Sequence, residues 1–203
     1  MSVGVLERST IVSIYGPTGS GKSQLAKAVS IAVDEDRCTR IPTDYFANFA
    51  AAASTDASGL LTGTLTYDWV RLDEVLDQPL GTIVTTPDVD FERLVRRSPD
   101  GGLAFVVRQI MLTDAFPPHP SASIRIRLTA PESTRRNRVI ERDTRWGSRV
   151  IDRWQHLEAT WDDVAGKSGA PDLDLSGEDP IGVNAARIAA VIRRTIDGTP
   201  YCR

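Results

Sequence analysis

One stretch near the start leaves the chain few folds to choose from: Ile11-Val12-Ser13-Ile14-Tyr15, then Gly16-Pro17-Thr18-Gly19-Ser20-Gly21-Lys22-Ser23. The second part fits G-x-x-x-x-G-K-[ST], and its setting is the one such a loop needs. A β-rich apolar run precedes it, and the helix-forming Gln24-Leu25-Ala26-Lys27-Ala28-Val29 follows. Glycines permit backbone conformations that a Cβ penalises, so several N–H groups can converge on one phosphate chain. The start of the helix adds partial positive charge at the same point. This reading makes Gly16, Thr18, Gly19, Ser20, Gly21, Lys22, Ser23 and Gln24 the expected nucleotide-binding residues. Lys22 would reach the β- and γ-phosphates, and the Ser23 hydroxyl would hold Mg²⁺. The chain is expected to bind a nucleoside triphosphate.

At 203 residues the sequence suits one α/β domain with an inserted flap better than two full domains. A net charge of −3 argues against a general nucleic-acid or membrane-surface binder. Basic residues nevertheless concentrate between Arg135 and Arg153, nearly all as arginine, which suits bidentate phosphate contacts. Cys38 and Cys202 are far apart and share no motif, so reduced thiols are expected. The first ten residues are too polar for a signal peptide, and no apolar run approaches a membrane span. The expectation is a soluble, cytoplasmic protein.

Along the chain, Thr10–Tyr15 reads as a buried first strand, Lys22–Val33 as a helix and Cys38–Ile41 as a short strand ended by Pro42. Thr43-Asp44-Tyr45-Phe46 follows, where a strand end meets a loop and where open α/β sheets bind ligands. Asp44 is a candidate base or magnesium partner there; alternatively it caps a helix over the alanine-rich Tyr45–Ala53. Ser54–Thr66 reads as a loop, and Tyr67-Asp68-Trp69 either lines a polar substrate or anchors that loop. Val70–Leu76 has helical spacing. Gly81–Thr86 reads as a strand stopped by Pro87, and Ser98–Gly102 as a turn. Leu103–Val107 is expected to be the next core strand, Ile124–Leu128 another, and Asp172–Leu175 the last. Val150–Val164 and Ile181–Ile196 read as helices, Trp154 and Trp161 as core, and His119 and His156 as structural.

If Leu103–Val107 is a core strand, the acid that organises Mg²⁺ at its end is missing, because Arg108-Gln109 follows. Further on, Arg135, Arg138 and Arg142 fall at i, i+3 and i+7 and share one helix face. Three aligned arginines in a triphosphate-binding chain favour a lid over the transferring phosphate rather than a merely solvated face. The fold class these features add up to is α/β: a P-loop NTPase three-layer α/β/α sandwich with a mainly parallel central sheet and an inserted helical, arginine-rich lid. A substrate-binding insert is expected over 44–97 and the lid over 131–150.

These residues together resemble the uridine kinase branch of the P-loop kinases, which also contains phosphoribulokinase. Thr43-Asp44-Tyr45-Phe46 resembles that family's D-S-F-Y segment, whose aspartate acts as base on the acceptor hydroxyl. Tyr67-Asp68 resembles the F-D of its F-D-H-P segment, where the aspartate contacts ribose hydroxyls. Thr86-Pro87 and Asp90-Phe91, with Arg96, resemble T-P-x-Y-D-F-x-x-H-x-R. Arg138, Arg142-Asp143 and Gly147 resemble its lid, R-R-x-x-R-D…R-G-R. The resemblance implies Lys22, Asp44, Arg138 and Arg142 as catalytic residues, and Ser23 with Asp44 as metal-binding ones. It implies Asp44, Tyr45, Phe46, Tyr67, Asp68, Asp90, Phe91 and Arg96 as substrate-binding residues, with ATP and Mg²⁺ as cofactors. Val89 and Leu94 stand where the family has an aromatic and a histidine that contribute to pyrimidine recognition. The resemblance therefore carries phosphoryl transfer further than it carries uridine or cytidine as acceptor.

The expected function is transfer of the γ-phosphoryl of ATP to a hydroxyl of a nucleoside or similar small molecule, in a chain that could form a homo-oligomer. Two alternatives stand beside it. The loop also resembles that of dimethylallyl transferases acting on tRNA or adenine nucleotides, whose D-S-x-Q-x-Y segment Asp44-Tyr45-Phe46 matches poorly. A regulatory nucleotide-binding protein, or a kinase that has lost catalysis, would explain Arg108-Gln109.

Overall fold

The run Thr10–Tyr15 forms strand β1, buried from Val12 onward, as its β-branched composition predicts. The computed structural model describes residues 9–41, 43–48, 66–90, 95–115, 117–142, 154, 158, 161, 165 and 167–197. Helix α1 (Lys22–Val33) follows the glycine-rich loop, and strand β2 (Cys38–Ile41) returns beside it. After a 3-10 turn at Thr43–Phe46 come β3 (Ala47–Asn48), β4 (Thr66–Tyr67), helix α2 (Trp69–Leu76), β5 (Ile83–Asp90) and β6 (Val95–Val106). The remaining elements are β7 (Ile110–Thr113), β8 (Ile124–Thr129), α3 (Glu132–Arg142), β9 (Leu173–Ser176) and α4 (Ile181–Ile196).

Five strands make the central sheet, in the order β2-β7-β1-β8-β9, and every neighbouring pair is parallel. Parallel strands are covered on both faces, so their side chains divide into two cores. Val12, Ile14, Ile110, Leu112 and Ile126 pack with Leu25, Val29, Ile188 and Ile192 of α1 and α4. The opposite pleat sends Met111 and Ile41 against Phe46, Leu72, Val75 and Leu76, with Val84 and Phe105 of the β5–β6 pair alongside. The result is the expected three-layer α/β/α sandwich of the P-loop NTPases, with the hairpin sharing one outer layer. Cys38 lies in the first core, where burial pushes its thiol up to about 12, against a small opposing pull from Arg108. No helix among the described residues is long and apolar enough to cross a membrane.

Three sequence-based expectations are corrected. The alanine-rich helix over Tyr45–Ala53 does not form in its described part. Ala47 and Asn48 instead pair antiparallel with Tyr67 and Thr66, and the Asp68 N–H donates to the Phe46 carbonyl at 2.8 Å. Tertiary pairing here overrides the modest helix preference of alanine. Pro87 does not stop its strand, because β5 continues through it to Asp90 as a hairpin partner of β6. The register slips around Pro87, and Ser98–Gly102 is taken up as the bulged part of β6 instead of a turn. There the Leu103 N–H donates to Thr86 Oγ1 at 2.9 Å, and the Thr86 hydroxyl donates to the Pro87 carbonyl at 3.0 Å.

The third correction matters most. Leu103–Val107 is not a core strand: its first four residues lie in β6, outside the central sheet, and Leu103 is 49% exposed. The strand between β1 and β2 is Ile110-Met111-Leu112-Thr113, all of it buried. A stability comparison checks this. Leu112→Ala should cost about 2–5 kcal/mol, as core leucines do, whereas Leu103→Ala should stay within about 1 kcal/mol. Equal losses in urea unfolding would contradict the assignment.

Candidate active site

Because β1, β7 and β2 are parallel neighbours, their carboxyl ends lie along one edge of the sheet. The glycine-rich loop leaves β1 there, Asp114 directly follows β7, and Thr43-Asp44 follows β2. The strand order reverses beside β1, whose partners are β7 and β8, and such switch points form ligand crevices. Asp114 is the acid that the sequence reading failed to find. Its signal was present, a short apolar run ending in Asp, but the longer run Leu103–Val107 drew the assignment. Arg108 and Gln109 precede β7 and lie at the other end of that strand. Gln109 accepts from Arg37 at 2.7 and 3.0 Å, and its carbonyl accepts from the Thr10 N–H.

The loop itself is shaped by close approach. Gly19 has φ +80°, and a Cβ there would fall 2.5 Å from the Arg135 carbonyl oxygen. Gly16 is tighter, since a Cβ would sit 2.0 Å from the Leu128 carbonyl oxygen. The Lys22 ammonium donates to the carbonyls of Gly16 (2.9 Å) and Pro17 (3.0 Å). Burial pushes its pKa down to about 8. The carboxylates of Asp114 and Asp44 pull it back up, and Arg142 and Arg135 push it down. Those four charged groups therefore lie within electrostatic reach of the lysine.

Asp114 and Thr43 are joined: the Asp114 N–H donates to Thr43 Oγ1 at 3.3 Å, and the Thr43 hydroxyl is 3.4 Å from Asp114 Oδ1. Asp44 is exposed on the 3-10 turn. The donor set fits a bound Mg²⁺-triphosphate. The Ser20 hydroxyl is buried in the loop without a hydrogen-bond partner, and the nearby acids and Ser23 supply hard oxygen ligands. No cluster of three metal-ligating side chains occurs among the described residues.

The three arginines of α3 play different parts. Arg135 is buried, 5.0 Å above the Trp154 ring, and paired through both terminal nitrogens with Glu158, at 2.6 Å for Nη2. Its Nε donates to the Ala130 carbonyl at 2.8 Å. It is thus a strut at the base of the expected lid rather than a mobile lid charge. Arg138 donates to the carbonyls of Gly177 (3.0 Å), Gly19 (3.3 Å) and Ser20 (3.4 Å). That places it along the loop's flank, in the wall of a pocket. Arg142 acts on the charge of Lys22 from the last turn of α3. Gly147 and the rest of the lid over 143–150 lie outside the described residues.

The expected acceptor residues are partly assembled. Asp68 caps α2, accepting the Arg71 N–H at 3.1 Å, and pairs with Arg96 at 2.8 Å. Partial burial raises its pKa, but Arg96 and Arg71 outweigh that and hold it below the usual carboxylate range. Asp90 pairs with Arg97 at 2.6 Å. Tyr67 stacks on Trp69 at 4.9 Å and packs with Ala47 and Ala115, so it anchors this region. Phe46 is corrected to a core residue: it is fully buried among Ile41, Leu72 and Val75 and cannot line a site. Tyr45 is half-buried against the same cluster. Phe91 lies outside the described residues. His119 is buried edge-on to Trp69, with Nδ1 accepting from the Ser121 N–H at 3.1 Å. Burial lowers its pKa against the pull of Asp73, in keeping with a structural role.

Sequence comparison finds no matching protein family and no matching curated protein. Comparison of folds does find relatives. A protein from Silicibacter sp. TM1040 described as a fructose transport system kinase superposes with TM-score 0.59 at 17% identity, covering 84% of this chain and 91% of its own. A protein from Bacillus stearothermophilus described as a uridine kinase gives TM-score 0.52 at 14% identity, with coverages of 83% and 89%.

The lysine supplies a test of the site. A triphosphate would raise the Lys22 pKa above its present value near 8, so binding at about that pH should take up a proton. Affinity should fall as pH rises beyond 8, approaching tenfold per unit, roughly one proton's worth. Calorimetry in buffers of different ionisation enthalpy reads the uptake directly. Zero uptake across pH 7.5–9 would contradict the lysine's placement.

Proposed function

We propose that the chain, whose fold is similar to that of P-loop kinases, is an ATP-dependent phosphotransferase acting on a hydroxyl of a small polyhydroxylated molecule, such as a nucleoside or a sugar. One observation carries the reading: Asp44 and Asp114, at the ends of neighbouring strands, both act on the Lys22 ammonium at the mouth of the glycine-rich loop. A loop that only binds nucleotide needs no second carboxylate within reach of its lysine.

In this reading the loop N–H groups and Lys22 hold the β- and γ-phosphates. Ser23 and Asp114 would hold Mg²⁺, directly or through its waters, and Asp44 is assigned the proton transfer. When bound, such a cation would supply neutralisation of the charge on the phosphates. Asp44 takes the proton of the acceptor hydroxyl as its oxygen bonds to the γ-phosphorus. The bond from that phosphorus to the bridging oxygen breaks, and ADP leaves. Arg142 offsets charge on the equatorial oxygens. Asp68 is assigned to the acceptor hydroxyls, and its bonds from Arg96 and the Arg71 N–H support an ordered carboxylate for that role.

The names of both fold neighbours refer to kinases, one of fructose transport and one of uridine, and sugar hydroxyls are common to the two. Val89, buried on β5 in place of the aromatic of uridine kinases, favours an acceptor other than a pyrimidine nucleoside. The alternative of a lost catalytic function rested on Arg108-Gln109 at the metal site, and that pair lies at the opposite end of β7.

ADP release measured across nucleosides, sugars and pantothenate-like alcohols tests the proposal; no stimulation by any acceptor would reject it. With an active acceptor, Lys22→Ala should abolish transfer while leaving the circular dichroism spectrum unchanged. Asp44→Asn should lower kcat by roughly 10²–10⁴ and change ATP affinity by less than about threefold. Normal turnover in Asp44→Asn would remove Asp44 as the base.

A further inference from the structure

Beside the glycine-rich loop lies a pocket of about 340 Å³, lined by Gly21, Leu25, Leu128, Arg138, Ile181 and Asn184 among others. Its position and walls suit a planar heterocycle continuous with a triphosphate on the loop. Leu25, Leu128 and Ile181 are apolar, and Ile181 is 47% exposed at the mouth, an unusual place for an isoleucine at a helix start. The Arg138 guanidinium is fixed by three backbone carbonyls and gives a flat cationic wall.

Asn184 is the polar group that this pocket leaves unanswered. It sits in the first turn of α4 and is only 2% exposed. Its Nδ2 donates to the Ser176 carbonyl at 2.7 Å, which settles which end of the amide is which. Oδ1 is then left as a buried acceptor with no partner. Buried acceptors are seldom left so, because the desolvation cost is not offset, and a ligand donor is one way to meet it. The neighbouring Gly177 carbonyl is already used by Arg138.

We propose that Asn184 Oδ1 accepts a hydrogen bond from the exocyclic 6-amino group of the donor nucleotide's purine, making Asn184 the residue that selects adenine. This rests on the kinase reading for the presence of a triphosphate on the loop. A 6-oxo purine presents an acceptor at the same place and sets two lone pairs against each other. A purine without a 6-substituent offers Oδ1 no donor.

Equilibrium binding of the full-length protein to ATP, purine riboside triphosphate and ITP, each with Mg²⁺, tests the assignment. ATP should bind roughly tenfold or more tightly than either analogue. In Asn184→Ala the preference for ATP over purine riboside triphosphate should shrink to within about twofold, through loss of ATP affinity. Equal affinity of the wild-type protein for ATP and purine riboside triphosphate would overturn the inference while leaving the kinase reading standing, and needs no variant to fold. A preference that persists unchanged in Asn184→Ala would overturn it as well. Failure of every triphosphate to bind would overturn both.

Discussion

The site depends on a lysine that is held where its charge is costly. Lys22 lies at the start of α1 with its ammonium against two loop carbonyls, and burial alone would strip it of its proton more readily than water does. Asp114 and Asp44 oppose that loss, and both are delivered by the sheet rather than by the loop. Their positions follow from the parallel order β2-β7-β1, which in turn follows from apolar strands covered on both faces. A shift of β7 by one residue would exchange Leu112 and Met111 between the two cores and draw Asp114 out of register with the loop. Core packing and site geometry are thus one constraint.

The loop, its helix and both chain-terminal elements of the sheet were legible because their local chemistry is unambiguous. Lys22–Val33 and Ile181–Ile196 have the helical bounds that the sequence suggests, and Ile124–Thr129 alternates as a strand with one wetter face. What misled was the segment between β2 and β7. Leu103–Val107 carries a stronger β signal than Ile110–Thr113, but a hairpin with a half-solvated face needs such residues as much as a core does. Nothing local to the four residues of β7 marks them as central. Their status comes from lying between two other strands.

The arginine face of α3 shows the same limit in another form. Spacing places Arg135, Arg138 and Arg142 on one side of a helix, and they are close in the folded chain, yet they do three different things. Arg135 is committed to Glu158 and Trp154, Arg138 to backbone carbonyls, and Arg142 to the field around Lys22. Periodicity reports a shared face; it carries no information on what each turn of that face will meet. The distinction between strut and wall arises from Glu158 and Gly177, distant in sequence from α3.

The contact between Gly19 and the Arg135 carbonyl has a mechanical meaning. The crown of the phosphate loop and the first turn of α3 touch through backbone, with no side chain between them to act as a cushion. Thr18 and Ala130 offer their carbonyls to the same guanidinium, so loop, helix root and the Glu158 region are riveted together. Arg138 adds a second tie one turn on, to the Gly19, Ser20 and Gly177 carbonyls. Beyond it only about one turn of α3 remains before Arg142, on the order of 6 Å. The charge of Arg142 is thereby held at a nearly fixed distance from the loop.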